Sequence, residues 1–422
     1  MHFSAFRPRA ACGAGAAFAA LGLSLVLAAC SSGGDDAPPA TAAPPAAAPP
    51  AAPPAVAGAV QIAPPGAVDP AWLRESAPVA TLTKASIAAD AAARGWAAEV
   101  GTPTCDVAIH RIAHPTTGPR GEATDASGAV FVPRGAGCEG PYPVLSYSRG
   151  TDLDRSRSMA DPADRETQAV TAFFASRGYL VVASDYLGYA GSSYPYHPYL
   201  HAPSEARTAI DAIRAGRALA ARLGAREDGR LFLAGYSQGG HAALATQRVL
   251  EAAGGNPTGL TPIAVGAMSG PYDLTGTFGD GASILPLLAI DLGGSTLAQA
   301  VELRLGDLVE ARAEALLRDR DELRRALANN SVIGFRPLAP VLLCGGGRDP
   351  VVPFSNTTSA AADFRARGAT VTVVDVEAEA AFAPRLPPRG APLSELGSYH
   401  QGAVPPLCFA AVRDRLLEPL RR

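Results

Sequence analysis

The chain has no surplus of basic charge. Its 36 lysines and arginines face 39 aspartates and glutamates, for a formal net charge of −3. That balance argues against a nucleic-acid partner, which needs a positive surface to displace counterions. Charge is scarce overall, at 18% of residues against 48% hydrophobic. A disordered chain is thereby excluded, and a large buried core is provided for. No group of His, Cys, Asp or Glu has the spacing of a metal site, so neither a metal nor an organic cofactor is implied. No internal repeat is visible, and beyond residue 30 no apolar run is a candidate to span a bilayer.

What is present begins with an address. Arg7 and Arg9 precede an apolar run at 14–29, too short to span a membrane comfortably. A basic start followed by a short apolar core reads as a secretory signal peptide. The run ends Leu27-Ala28-Ala29-Cys30. These residues resemble the lipobox of bacterial lipoproteins, whose cysteine is lipidated and becomes the mature first residue. The resemblance implies export and a lipid anchor in a membrane of the bacterial cell envelope. The next stretch, 31–65, is rich in Ala and Pro, cannot bury enough apolar surface to offset its ordering entropy, and suits an extended spacer. The expected organisation is a signal peptide at 1–29, a tether at 30–66 and a folded domain at 67–422.

Within that domain short apolar runs alternate with helical patterns. Segments 105–112 and 128–132 alternate like paired strands. Segments 143–147, 179–184, 231–234, 263–267, 340–344 and 370–374 read as strands, the shortest apolar runs as strands buried on both faces. Helices are expected at 166–176, 204–223 and 239–253, with Ser204 capping the second. The pattern predicts an α/β domain, a mainly parallel sheet with helices on both faces. Sites in such sheets form at the carboxyl ends of the strands. A region at about 274–337 interrupts the alternation and reads as a helical cap. Four cysteines fall in the domain: Cys105, Cys138, Cys344 and Cys408. An even number in an exported chain suggests two disulfides. Of three pairings, Cys105–Cys138 with Cys344–Cys408 is favoured because each links neighbouring parts of the expected fold.

The strongest motif is Gly235-Tyr236-Ser237-Gln238-Gly239. It is a Gly-x-Ser-x-Gly turn between an expected strand and an expected helix, the context in which a serine hydroxyl projects above a sheet. A serine hydroxyl needs an adjacent base. Only His241 and His400 follow Ser237 in the chain. His241, one turn into the helix, is directed away, so His400 is the expected base. Asp349, after the strand 340–344 and a run of three glycines, is the expected acid, with Asp375 the weaker competitor. The amide of Gln238 is one expected oxyanion donor, and that of Gly150 or Thr151 the second.

On these residues the chain resembles the α/β-hydrolases, and more narrowly the secretory lipase family. The resemblance rests on Ser146-Tyr147-Ser148-Arg149-Gly150-Thr151, Ser184-Asp185-Tyr186-Leu187-Gly188, His197-Pro198-Tyr199-Leu200, the elbow at Ser237, and Asp349 with His400. One departure stands out: relatives often carry His-Gly where this chain has Arg149-Gly150. The resemblance implies a serine hydrolase that cleaves small-molecule or lipid carboxylic esters through a Ser237–His400–Asp349 triad and an acyl-enzyme. A peptidase or acyltransferase on the same fold, or a binding lipoprotein without catalysis, are the rival readings.

Overall fold

A continuous apolar run can bury both its faces only in a sheet covered on both sides. The computed structural model of the chain, which describes residues 63–152, 154–252, 256–278, 320–388 and 398–421, builds its centre from such runs. Strands β4 (Tyr142–Ser148), β5 (Leu180–Tyr186), β6 (Glu227–Tyr236) and β7 (Thr261–Met268) run parallel, as do β8 (Val341–Gly345) and β9 (Val371–Asp375). Three antiparallel strands complete one edge: β1 (Glu75–Leu82), β2 (Asp106–Thr117) and β3 (Ala123–Arg134). The spatial order is β1-β2-β3-β5-β4-β6-β7-β8-β9.

Alternation along each central strand divides the core into two layers. Leu145, Tyr147, Val181, Phe232 and Ala234 point to one face, where they meet α1 (Lys84–Ala93), α3 (Arg165–Phe173) and α9 (Val404–Val412). Val144, Val182, Leu231 and Leu233 point to the other, beneath α4 (Ala202–Arg222), α5 (Gln238–Ala252) and α8 (Phe354–Ala366). Period-2 side-chain direction and parallel crossovers on both faces together make this arrangement the stable one. The short helix α2 (Ala97–Val100) precedes β2.

The expected strands and helices are all present, with boundaries moved by a few residues. Two details differ. Ser204 does not cap α4; the imidazole of His201 accepts from the Ser204 amide at 3.4 Å, and Ser204 lies in the first turn. Residues 63–66, read as the end of a spacer, lie on the domain: the Gly66 amide donates to the Gly259 carbonyl at 2.7 Å, and Arg217 Nη2 donates to the Gly66 carbonyl at 2.8 Å. Of the expected cap, α6 (Leu274–Phe278) and α7 (Arg320–Asn330) are described, while 279–319 lie outside the described residues, as do the signal peptide, Cys30 and most of the tether. Both favoured disulfides are formed, Cys105–Cys138 and Cys344–Cys408.

Candidate active site

Strand β6 passes into helix α5 through one residue, Ser237, whose φ is +56°. Left-handed backbone is strained for a residue with a Cβ, and surrounding structure must hold it. Here the Ser237 amide donates to the Met268 carbonyl at 2.8 Å, on the neighbouring strand. The two glycines are required by contact: a Cβ on Gly235 would collide with the Gly239 carbonyl, and one on Gly239 with the Ser148 carbonyl.

The other expected catalytic residues arrive from two separate elements. Asp349 follows β8, its amide donating to the Gly346 carbonyl at 3.0 Å. Its Oδ1 accepts from the amides of Val351 and Val352 at 2.9 and 3.0 Å, which fixes the carboxylate. His400 lies in a wide helical turn, Tyr399–Ala403, that leads into α9. The imidazole Nδ1 is 2.6 Å from Asp349 Oδ2, and Nε2 is 3.0 Å from Ser237 Oγ. With an ionised Asp349 as pure acceptor, Nδ1 carries the proton and Nε2 is free to accept one. Asp349 and His400 are both buried. Tyr236 braces the histidine from below, its hydroxyl donating to the His400 carbonyl at 2.5 Å. Burial, with the charge of Asp349 next, pushes this phenol well above its usual range, so it stays a donor.

The competitors are committed elsewhere. Asp375 Oδ1 accepts from the Gly347 and Glu377 amides, each at 2.9 Å, and so braces the loop that carries Asp349. His241 lies between Glu205 Oε2 and the Asn330 carbonyl, each at 2.7 Å.

The oxyanion expectation needs one correction. The Gly150 amide donates to Glu166 Oε1 at 2.9 Å and cannot serve as the second donor. The Thr151 amide meets no acceptor among the described residues, and neither does the amide of Gln238 at the first position of α5, where helix geometry leaves N–H groups unpaired. Glu166 had no signature in the sequence beyond being a carboxylate near the start of a helix. Its Oε1 also accepts from Tyr147 Oη at 2.6 Å, and its Oε2 from Arg157 at 2.8 Å. Arg157 in turn pairs with Asp164 at 2.8 Å and Asp152 at 3.0 Å. A cavity of about 400 Å³ opens over Ser237 and His400, with Trp96, Phe173 and Phe409 among its apolar lining and Thr151 and Glu166 among the polar.

A model of the secretory lipase family matches residues 163–278. The crystal structure of a rice cell wall degrading esterase, LipA from Xanthomonas oryzae, is similar over 84% of this chain and 100% of that one, with 30% identity and a TM-score of 0.68. The chain belongs to the secretory lipase family of α/β-hydrolases. Lower-identity likenesses agree on the fold: a Legionella pneumophila protein at 22% identity covers 72% of this chain and 91% of its own, with a TM-score of 0.57. Candida antarctica lipase A in its closed state, at 17% identity, covers 80% and 84%, with a TM-score of 0.50. Comparison with curated proteins finds no match. Membership in the secretory lipase family and the two disulfides support an exported ester hydrolase. No helix among the described residues is long and apolar enough to cross a membrane.

Proposed function

We propose that this secretory lipase relative is a serine esterase that cleaves carboxylic esters through an acyl-enzyme on Ser237. The observation that carries the reading is the relay from Asp349 through His400 to Ser237, at 2.6 and 3.0 Å, under a cavity large enough for a small ester. His400 Nε2 takes the Ser237 proton as Oγ attacks the ester carbonyl. The carbonyl oxygen becomes an oxyanion facing the amides of Gln238 and Thr151. The tetrahedral adduct collapses as His400 returns its proton to the leaving alcohol. Water, activated by the same imidazole, then releases the acid and restores Ser237. Asp349 holds the tautomer and stabilises the imidazolium without itself taking the proton.

Ser237→Ala should lower kcat on short acyl esters by roughly 10⁴-fold or more, with an unchanged melting temperature, and His400→Ala should be comparably damaging because the three act as a unit. Near-native hydrolysis by a folded Ser237→Ala variant would remove the assignment. Rates on matched esters and peptide amides separate an esterase from a peptidase.

The proposed location is the cell envelope. A lipidated Cys30 would anchor the chain, and residues 31–62 would separate the folded domain from the membrane. Each buried methylene of the acyl chains contributes about 0.8 kcal/mol. The protein should fractionate with membranes and Cys30→Ala should release it; wild-type protein found unmodified in the soluble exported fraction would contradict the anchor.

A further inference from the structure

Arg149, at the exit of β4, is fully buried and makes no ion pair among the described residues. The charge of the buried Asp185 is close enough to be felt, but desolvating a cation that makes no direct ion pair is costly, so its placement calls for a compensating role. Its guanidinium donates to two main-chain carbonyls: Nη1 to Gly150 at 3.0 Å, and Nε and Nη2 to Asp185 at 3.4 and 3.3 Å. It lies over the rings of Tyr189 at 4.0 Å and Tyr186 at 5.4 Å. The carboxylate of Asp185 is turned elsewhere, accepting from Ser127, Ser158 and the Met159 amide. The guanidinium N–H groups are therefore spent on peptide carbonyls, with Asp185 a neighbouring charge rather than a hydrogen-bond partner.

One of those peptides joins Gly150 to Thr151. A trans peptide is planar, with its N–H opposite its C=O. Clamping the Gly150 carbonyl therefore fixes the direction of the Thr151 N–H. The preceding peptide is fixed from the other side, because the Gly150 amide is held by Glu166. Thr151 and Gly150 line the cavity with Ser237, and a Cβ on Gly150 would stand 3.8 Å from that of Ser237. We propose that Arg149 is the positioning residue of the oxyanion site: it fixes and polarises the Gly150–Thr151 peptide so that the Thr151 amide is the second donor. The proposal rests on the reading of Ser237 as nucleophile.

The test uses the full exported chain and two variants, Arg149→Lys and Arg149→Met. Lysine keeps the charge and loses the planar fork; methionine keeps much of the volume and loses both. The probes are a short-chain ester, a trifluoromethyl ketone of matching chain length, and the corresponding secondary alcohol. The ketone forms a hemiketal with the serine and places an oxyanion between the donors, whereas the alcohol fills the pocket without one. Loss of a single oxyanion donor typically lowers kcat by about 10²- to 10³-fold. Arg149→Met should lower kcat by about 100-fold with KM within about threefold, and should weaken the ketone by about the same 100-fold while leaving the alcohol unchanged. Arg149→Lys should fall between, at about tenfold. A variant that melts like wild type and keeps kcat and ketone affinity within about threefold overturns the proposal. So does equal loss of ketone and alcohol binding, which marks general damage to the pocket. If the methionine variant does not fold, the lysine variant carries the same comparison. Wild type that forms no hemiketal overturns the reading of Ser237 and this proposal with it; wild type that forms one while Arg149→Lys forms it equally tightly overturns this proposal alone.

Discussion

Gln238 contributes its main-chain amide to the cavity, yet its side chain is buried behind it. There Nε2 donates to Glu205 Oε1 and to His197 Nε2, both at 2.7 Å. His197 can accept only because its proton sits on Nδ1, facing the Leu187 carbonyl at 3.0 Å. Burial, and then the nearby charge of Arg149, hold this imidazole down at about 4, so it is neutral at neutral pH. The second oxygen of Glu205 faces His241, which reaches on to the carbonyl of Asn330 at the end of α7. One carboxylate thus joins the first turn of the nucleophile helix to the described end of the cap region. Glu205→Ala takes one acceptor from each of Gln238 and His241 where solvent does not reach, leaving them only His197 and the Asn330 carbonyl. Breaking such a buried charged network costs about 3–5 kcal/mol, and Glu205→Gln, which keeps one acceptor oxygen, should cost less. Urea unfolding measures both; a loss below about 1 kcal/mol for the alanine variant would show that the network is not coupled to folding. His197 was singled out in the sequence by the segment that carries it, but Glu205 was not. A glutamate among polar helical positions reads as a solvated face, and α4 instead buries almost its whole circumference between the sheet and α5.

The bond between Cys344 and Cys408 ties the strand that delivers the acid to the helix that follows the histidine. It closes a loop across 64 positions, with Cα atoms 5.6 Å apart. Constraint of the unfolded chain by a loop of this length is worth about 4 kcal/mol. Asp349 and His400 both lie inside that loop, so removal of the bond should also loosen their hydrogen bond. Replacing both cysteines with alanine should lower the calorimetric midpoint by several degrees and reduce kcat, and reductant should do the same to wild type. An unchanged midpoint in the double variant would show that packing of β8 and α9 suffices. The strands on either side of this bond were legible because each is a short apolar run bounded by turn residues. The β6–turn–α5 unit was legible for a further reason, that its glycines are dictated by backbone contact. Elements at the start of the domain were not. Strand β1 reads Glu75-Ser-Ala-Pro-Val-Ala-Thr-Leu82, half exposed and interrupted by a proline, as suits an edge strand. Helix α1 is built largely of alanine, which favours a helix but leaves little apolar periodicity to read. Helix α8, between β8 and β9, was missed for the same weak amphipathicity.

At the scale of the molecule, the sheet brings residues 237, 349 and 400 to the carboxyl ends of its parallel strands, and the same deep burial that shields them makes stability depend on pH. His114, on β2, is fully buried with Nδ1 near the Pro115 carbonyl and Nε2 without a partner. Burial, which outweighs the carbonyl contact, lowers its pKa to about 4 from 6.5. Between these values the folded imidazole is neutral while the unfolded one is protonated. Unfolding therefore takes up a proton, stability rises with pH across the window, and it is lost as pH falls from 6.5 towards 4. His197 acts in the same direction over the same window. Each is worth about 3 kcal/mol. Asp211 opposes them. Burial raises its carboxyl from 3.8 to about 6, so its contribution is fully present below 3.8 and is lost as pH rises through 6. Two terms against one of similar size leave these three groups with a net loss of about 3 kcal/mol on acidification from 6.5 to 4. His114→Gln should remove one of the two histidine terms. Its stability relative to wild type, from urea unfolding at a series of pH values, should improve by about 3 kcal/mol between pH 7 and pH 4. A constant difference across that range would mean that His114 titrates alike in the folded and unfolded chains, and would place the acid sensitivity on His197 alone.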